Sequence, residues 1–511
     1  MITHPLPAKD SLSITGSQNL SAPVIVWWRN DLRLSDNTPI QAALTTQQPL
    51  IFVYIHYEHL VVFDHHKQTR ARHWWLYHSL QAMEKRLLKV GGHILFYQGI
   101  PHQILSQLVN TTGATAIFYN KSFHPKLIAE DQKVTKTLKA LGCATHSYSS
   151  TLIWDHSHIH TQKHQPYSVF TPFFRAALKQ PTQELISQQS SHLVGRFFQK
   201  TIPCSSLTSL QLLPNKPNWS HHWSHLWQPG ELNALKQLNR FLDRLHMYQD
   251  KRDIPGEQGT SQLSAYLALG EISPQRILTT IKQSGLAHSH AGQSFVRQLV
   301  WREFSFYLLD HQPNLVIQPL KPSFTQMAWH LGKPATLEAW QQGNTGYPLV
   351  DAGMRELYTT GWMHNRVRMV VASFLTKNLM IHWRYGASWF MDTLVDACWA
   401  NNFVSWQWVA GCGADAAPYY RIFNPIIQGK KFDPNGDYIR KWLPELKHSH
   451  RKVIHDPWQQ MTQSGTQKSI LTSEHQDYPR PIVNLQRSRN QALEAYEIMK
   501  RENQNMGASQ K

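Results

Sequence analysis

The chain has 511 residues, 41% of them hydrophobic, with 51 Lys and Arg against 33 Asp and Glu, a formal charge of +18. That length holds two or three domains with sizeable cores. Apolar runs such as PLIFVYIH and MVVASFL fall well short of the ~20 residues of a membrane span, and the polar N-terminus shows no secretory leader. The cationic excess points toward a polyanionic partner. Cys143, Cys204, Cys398 and Cys412 form no C-x-x-C pair and no metal-ligand spacing, so free thiols in a reducing cytoplasm and no metal site are expected.

Residues 1–22 are polar and mixed and are expected to form a disordered arm. From Val24, the runs VIVWW, PLIFVYIH, HILFYQG and TAIFYN have strand length and β-branched or aromatic character, and helical or turn sequence separates them. The stretch from Arg70 to Gly91 is an amphipathic helix closed by glycine. Strand–helix alternation predicts a doubly wound, Rossmann-like parallel sheet over 23–154, although no G-x-G-x-x-G fingerprint assigns it a dinucleotide. Residues 155–230 read as an irregular connector, draped over its neighbour or partly mobile, around the phrase PYSVFTPFFRA. Helical periodicity then runs through 231–485, an all-α domain, and 486–511 end the chain as a short helix and tail. Eleven of the 19 tryptophans lie from Trp301 onward.

Within the helical domain, residues 391–425 interleave large aromatics with amides and aspartates. Such a stretch suits the wall of a site for a flat, polar-edged aromatic ligand, or else an aromatic-rich core segment. Residues 260–264, TSQLS, offer hydroxyls and backbone N–H groups at a helix start, either as a plain N-cap or as an anion site. Helical spacing places Gln298, Trp301 and Arg302 on one face, and brings Asn365, Arg368 and Met369 together on another helix. Arginine, amide and aromatic side by side suit a nucleobase; a solvated arginine on an amphipathic helix is the other reading.

Taken in order, WWRNDLRLSDN, TSQLSAYLALGEIS, QLVWREF, TGYPLVDAGMREL, TGWMHNRVRM, SWQWVAGCGADAAPYYRIFNP and DYPRPIV resemble the photolyase/cryptochrome flavoproteins. The resemblance covers nearly the whole chain and is greatest to bacterial class I cyclobutane pyrimidine dimer photolyases. It implies a bent FAD in the helical domain, with Tyr248, Thr260, Ser261, Gln262, Leu263 and Ser264 around the phosphates. Trp362, Asp396, Ala397 and the backbone near Cys398 would surround the remainder, Asn402 would face the flavin N5, and Arg368 would pair with Asp396. Trp406, Trp383 and Trp329 match the family's electron relay from the surface, for which indole is suited because it is readily oxidised and can be buried without charge. Gln298, Trp301, Arg302, Asn365, Arg366, Met369 and Trp408 match the lesion pocket, and Arg252 matches a DNA-contacting arginine. In the family, light-excited reduced flavin gives an electron to a flipped-out dimer, the ring splits and the electron returns.

The implied partner is UV-damaged DNA, met by a monomer in a bacterial cytoplasm, with no membrane involved. Two departures from the class I pattern stand out: Gln298 where glutamate is usual, and Cys398 where a second acidic residue is usual. They leave a cryptochrome-like photoreceptor and a (6-4) photoproduct photolyase as alternatives, while Asn365 and Met369 are of the cyclobutane type. An antenna chromophore, methenyltetrahydrofolate or 8-hydroxy-deazaflavin, is implied between the domains, although Phe123 and His124 replace the usual aromatic–acidic pair.

Overall fold

The computed structural model describes residues 22–57, 70–182, 185, 190–214, 218–331, 334–415, 420–458 and 478–509, so the expected N-terminal arm, Ala22 apart, lies outside the described residues. The four apolar runs become β1 (Val24–Trp28), β2 (Leu50–His56), β3 (Ile94–Gln98) and β4 (Ala116–Asn120), buried almost throughout. Continuous rather than alternating hydrophobicity follows from burial on both sheet faces. Helices α1 (Thr38–Thr45) and α2 (Arg70–Leu88) cover the side bearing Val24, Val26 and Trp28. Helices α3 (Pro101–Thr112) and α4 (Pro125–Ala140) cover Ile25 and Trp27.

A fifth strand, β5 (Ala144–Tyr148), was not expected from the sequence. Its residues, ATHSY, are largely solvent-facing, and it is held at the sheet edge by its parallel ladder with β4. An edge strand of this kind carries no apolar signal to read. The order is β3-β2-β1-β4-β5, all parallel. The strand order therefore reverses between β1 and β4, which places a ligand crevice beyond their carboxyl ends.

The connector is more structured than expected. It contains α5 (Phe170–Ala177), whose Phe170 and Phe173 are fully buried, and Phe173 packs on Tyr307 of the helical domain at 4.8 Å. The spacing Phe170, Phe173, Phe174, Ala177 was a helical stripe within a polar context, too short to stand out. The helical domain includes α6 (Glu231–Leu242), α7 (Ser264–Ala268), α8 (His290–His311), α9 (Pro348–Thr360), α10 (Asn365–Ser373), α11 (Trp383–Thr393) and α12 (Trp399–Ala410). The C-terminal helix α13 (Leu485–Ser509) stacks Tyr496 on Tyr420 at 4.5 Å. After α10 the chain makes a π-helical turn, Phe374–Asn378, which carries Lys377 into the core. Its Nζ donates to the carbonyls of Val409 at 2.6 Å and Arg421 at 2.5 Å, tying the end of α12 to the segment beyond it. Among the described residues no helix is long and apolar enough to cross a membrane.

Glu271 joins the two halves. Its carboxylate accepts from Trp75 Nε1 at 2.9 Å and from Ser79 Oγ on α2, and from the Gly230 N–H at the start of α6. Burial outweighs those three donors and pushes the carboxyl up to about 8. The folded protein then holds a proton that the unfolded chain, near the ordinary value of about 4.3, has released. This stabilisation is complete below the ordinary value and is lost as pH rises through 8. Denaturant midpoints should therefore fall between about pH 5 and pH 8, and Glu271→Gln should flatten that part of the profile. An unchanged slope in the variant would assign the pH dependence elsewhere.

Candidate flavin and lesion site

The stretch 391–425 does form the wall of a cavity. Asp396, Ala397, Cys398, Asn401, Asn402, Ser405 and Trp406 line it from one side, and Asn365, Arg368 and Met369 of α10 from the other. Arg368 makes a two-pronged pair with Asp396, at 3.1 and 2.8 Å, and its Nε donates to the Met363 carbonyl at 2.7 Å. The guanidinium also lies 5.9 Å from the centre of the Trp362 ring. Asn402 is 9% exposed, and its Nδ2 donates to the Ala387 carbonyl at 2.9 Å, leaving Oδ1 as acceptor. The residues fit a flavin ring: Phe390, Leu394 and Val409 give apolar faces, and amides, a carboxylate and a guanidinium give a polar edge. Cys398 contributes no charge, since burial raises its thiol above the usual range.

The residues expected around the phosphates lie on and beside the loop 259–264, which α6 supports. Gln262 has φ +52°, a left-handed turn, and Ser261 Oγ accepts from the Leu263 N–H at 3.3 Å. Gln237 of α6 donates to the Ser261 carbonyl at 2.8 Å and fixes the loop. Gly259 is required there, because a Cβ would stand 2.2 Å from the Lys251 carbonyl oxygen. Tyr248 is buried against Phe241 and Phe295. Thr260 and Ser261 are partly exposed, and Ser264, the first residue of α7, is exposed.

Trp406 is 2% exposed, and its ring lies on Gly386 one turn into α11, where a Cβ would come within 2.1 Å of it. Trp383, the first residue of α11, is fully buried. Trp329, which the relay pattern put at the surface, is only 7% exposed; Phe324 and His382 cover it. All three indoles are therefore buried, and His382 is a ring neighbour of both Trp329 and Trp383.

The lesion-type residues divide. Met369 and Asn365 line the cavity with Asp396 and Asn402, and Arg366 approaches Met369 Sδ at 3.9 Å. Trp301 stacks on Phe170 of the connector at 3.6 Å, nearly parallel, which fixes its plane. Gln298 donates back to the Ser294 carbonyl at 3.4 Å, and Arg252 reaches the Ser294 hydroxyl at 3.4 Å. Arg302 does not join Gln298 and Trp301 as its spacing predicted. It donates to the Thr151 carbonyl at 3.1 Å and to Glu303, and packs over Phe306 at 4.6 Å. Buried Glu303 supplies the physical reason, since it draws the guanidinium toward the domain junction. Trp408 donates to the Asp415 carbonyl at 3.1 Å. Asp253 was missed in the sequence. It lies 2.9 Å from Arg366 and 4.0 Å from Arg252, holding both cations together.

A second cavity occupies the crevice between β1 and β4. Trp28 at the end of β1 and Arg29 after it, Phe123 and His124 after β4, and Arg302, Phe306 and Trp399 of the helical domain line it. Burial pushes His124 down to about 4, so this ring is neutral. Ala397 and Cys398 border both cavities, which are therefore separated by little more than one turn of chain.

A doubly wound sheet joined to a helical domain with this cavity is a scaffold able to hold a flat, polar-edged aromatic ligand such as a flavin. Residues 24–190 match the family described as DNA photolyase, and residues 295–498 match the FAD binding domain of DNA photolyase. The deoxyribodipyrimidine photo-lyase of Agrobacterium fabrum is 42% identical over 94% of this chain and 99% of its own. A class III photolyase structure from Agrobacterium tumefaciens superposes with a TM-score of 0.86 at 41% identity, covering 96% of this chain and all of that one. A cryptochrome structure from Synechocystis gives 0.83 at 30% identity, covering 94% of this chain and all of that one. The chain belongs to the DNA photolyase family, and FAD is its cofactor.

Proposed function

We propose that this chain is a deoxyribodipyrimidine photo-lyase that repairs cyclobutane pyrimidine dimers in UV-damaged DNA. One observation carries the reading: Met369 and Asn365, of the lesion type, line the same cavity as Asp396, Arg368, Asn402 and Trp406. When bound and photoexcited in its reduced form, the flavin supplies the electron that opens the dimer. The chain's own residues do the rest. Arg368 and Asp396 hold the polar edge of the ring system, and Asn402 offers Oδ1 to an N–H donor. Trp301, backed by Phe170, gives an extruded pyrimidine pair a flat apolar surface, offsetting a few kcal/mol of unstacking. Arg252 and Arg366, joined through Asp253, supply cations for flanking phosphates. No proton need move, so the site requires no general acid or base.

Trp406, Trp383 and Trp329 would return electrons to the flavin after its oxidation. The second cavity, lined by Arg29, His124 and Trp399 at the strand ends, would hold a light-harvesting chromophore, either methenyltetrahydrofolate or 8-hydroxy-deazaflavin, as ligands of open α/β sheets are held. The protein acts as a monomer on DNA in the bacterial cytoplasm. A photoreceptor without repair is the other reading, favoured by Gln298, which brings no charge to the lesion side. Illuminating the pre-reduced protein with dimer-containing DNA decides between them. Dimers should disappear in the light and persist in the dark; flavin-loaded protein that leaves them intact under light would reject the repair reading.

A further inference from the structure

The ring contacts of Trp329 among the described residues are with Phe324 and His382, and those of Trp383 are with His382 and Phe403. His382 therefore lies between two relay indoles. It stacks on Trp383 with centroids 5.5 Å apart and 28° between planes, and meets Trp329 edge-on at 4.8 Å and 82°. We propose that His382 is the bridging ring of the relay, a neutral imidazole through which Trp329 delivers an electron to oxidised Trp383.

Two features of the backbone fix this placement. His382 is the N-cap of α11, and its Nδ1 accepts from the Arg384 N–H at 3.2 Å. An accepting Nδ1 carries no proton, so the single proton of the ring is on Nε2. A cationic ring would place an N–H against the Arg384 N–H and break the cap. Burial, with Arg384 as the lesser cause, also pushes His382 down to about 4. The second constraint is the strand-like tie of His330 to residues 380–382, through His330 N–H to the Met380 carbonyl at 2.7 Å and His382 N–H to the His330 carbonyl at 3.4 Å. It locks the segment carrying Trp329 beside the one carrying His382 and Trp383.

The step balances as a bare electron transfer. Trp383, one electron short after refilling Trp406, regains one from Trp329; no bond forms or breaks. Among the described residues neither the Trp329 nor the Trp383 Nε1 has an acceptor within hydrogen-bond distance, and the transfer itself needs no proton to move. A neutral ring between them fills the gap with polarisable π density and places no positive charge beside a radical cation.

This inference rests on the relay reading, and the test separates the two. After a flash on the flavin-loaded protein, transient absorption follows the indole radicals in wild type, His382→Asn and His382→Phe. Asparagine keeps an acceptor for the Arg384 N–H but removes the ring; phenylalanine keeps a ring but loses the cap. The step from Trp329 to Trp383 should slow at least about tenfold in His382→Asn, equivalent to about 1.4 kcal/mol on that barrier, with an unchanged melting temperature. In His382→Phe the step should stay near the wild-type rate while the melting temperature falls. Wild-type kinetics in a normally folded His382→Asn would overturn the bridge. Undiminished photoreduction in Trp329→Phe would instead remove the relay on which the bridge depends.

Discussion

Replacing Trp406 by phenylalanine should slow light-driven reduction of the oxidised flavin by two orders of magnitude or more, about 2.7 kcal/mol on that step. In the proposed relay Trp406 is the indole that lines the cavity shared with Asp396 and Asn402, and a phenyl ring is far harder to oxidise than an indole. Its ring also meets Phe390 at 5.0 Å and Trp340 at 6.2 Å, so the smaller side chain leaves a partial void. The loss of stability should be about 2 kcal/mol, below the 3–5 kcal/mol of truncating such a residue to alanine. Repair by protein reduced beforehand should persist, because the relay only restores the reduced flavin. Monitoring flavin bleaching under blue light, and separately dimer loss with pre-reduced protein, checks both halves. Equal loss of the two activities would show that Trp406 serves the repair step itself.

The second large effect is expected at Arg368. Arg368→Ala removes the two-pronged partner of Asp396, whose side chain is 3% exposed, and so leaves a carboxylate buried without its counter-charge. Breaking such a pair from one side costs about 3–5 kcal/mol. It also strips the guanidinium from Trp362 and from the Met363 carbonyl, so flavin retention through gel filtration should fall with the melting temperature. Arg368→Lys should recover little, since an ammonium cannot make both hydrogen bonds at once. Asp396→Asn in the Arg368→Ala background should regain stability, because the stranded charge is then gone. A double variant no more stable than the single one would place the cost in lost packing rather than in charge.

The relation of Gln298 to repair follows from the same geometry. Its amide turns back onto the Ser294 carbonyl, and Arg252 holds the neighbouring Ser294 hydroxyl. A glutamate at 298 could not donate in that way. The class I expectation meets a further fact: one of the matching structures is a class III photolyase. Many of the motifs that reveal the family hold the residues proposed to meet flavin and lesion, whose chemistry the family shares, so they carry the family more firmly than its subdivision.

By itself the sequence determined the parallel sheet, since β1 to β4 are buried on both faces and are apolar along nearly their whole length. It also determined the helical domain, and aromatic and amide residues interleaved at 391–425 offered a cavity wall as one of two readings, the one the structure shows for 396–409. Tertiary structure alone decided β5, a polar edge strand that exists through its ladder, and the aim of Arg302, which buried Glu303 draws away from its helical neighbours. It also decided the covering of Trp329 and the insertion of His382 between two indoles. Helical and strand periodicities are local and survive in the order of residues. Ring-to-ring contact, burial of charge and the choice of partner depend on which distant segments meet, and that is set only when the chain is packed.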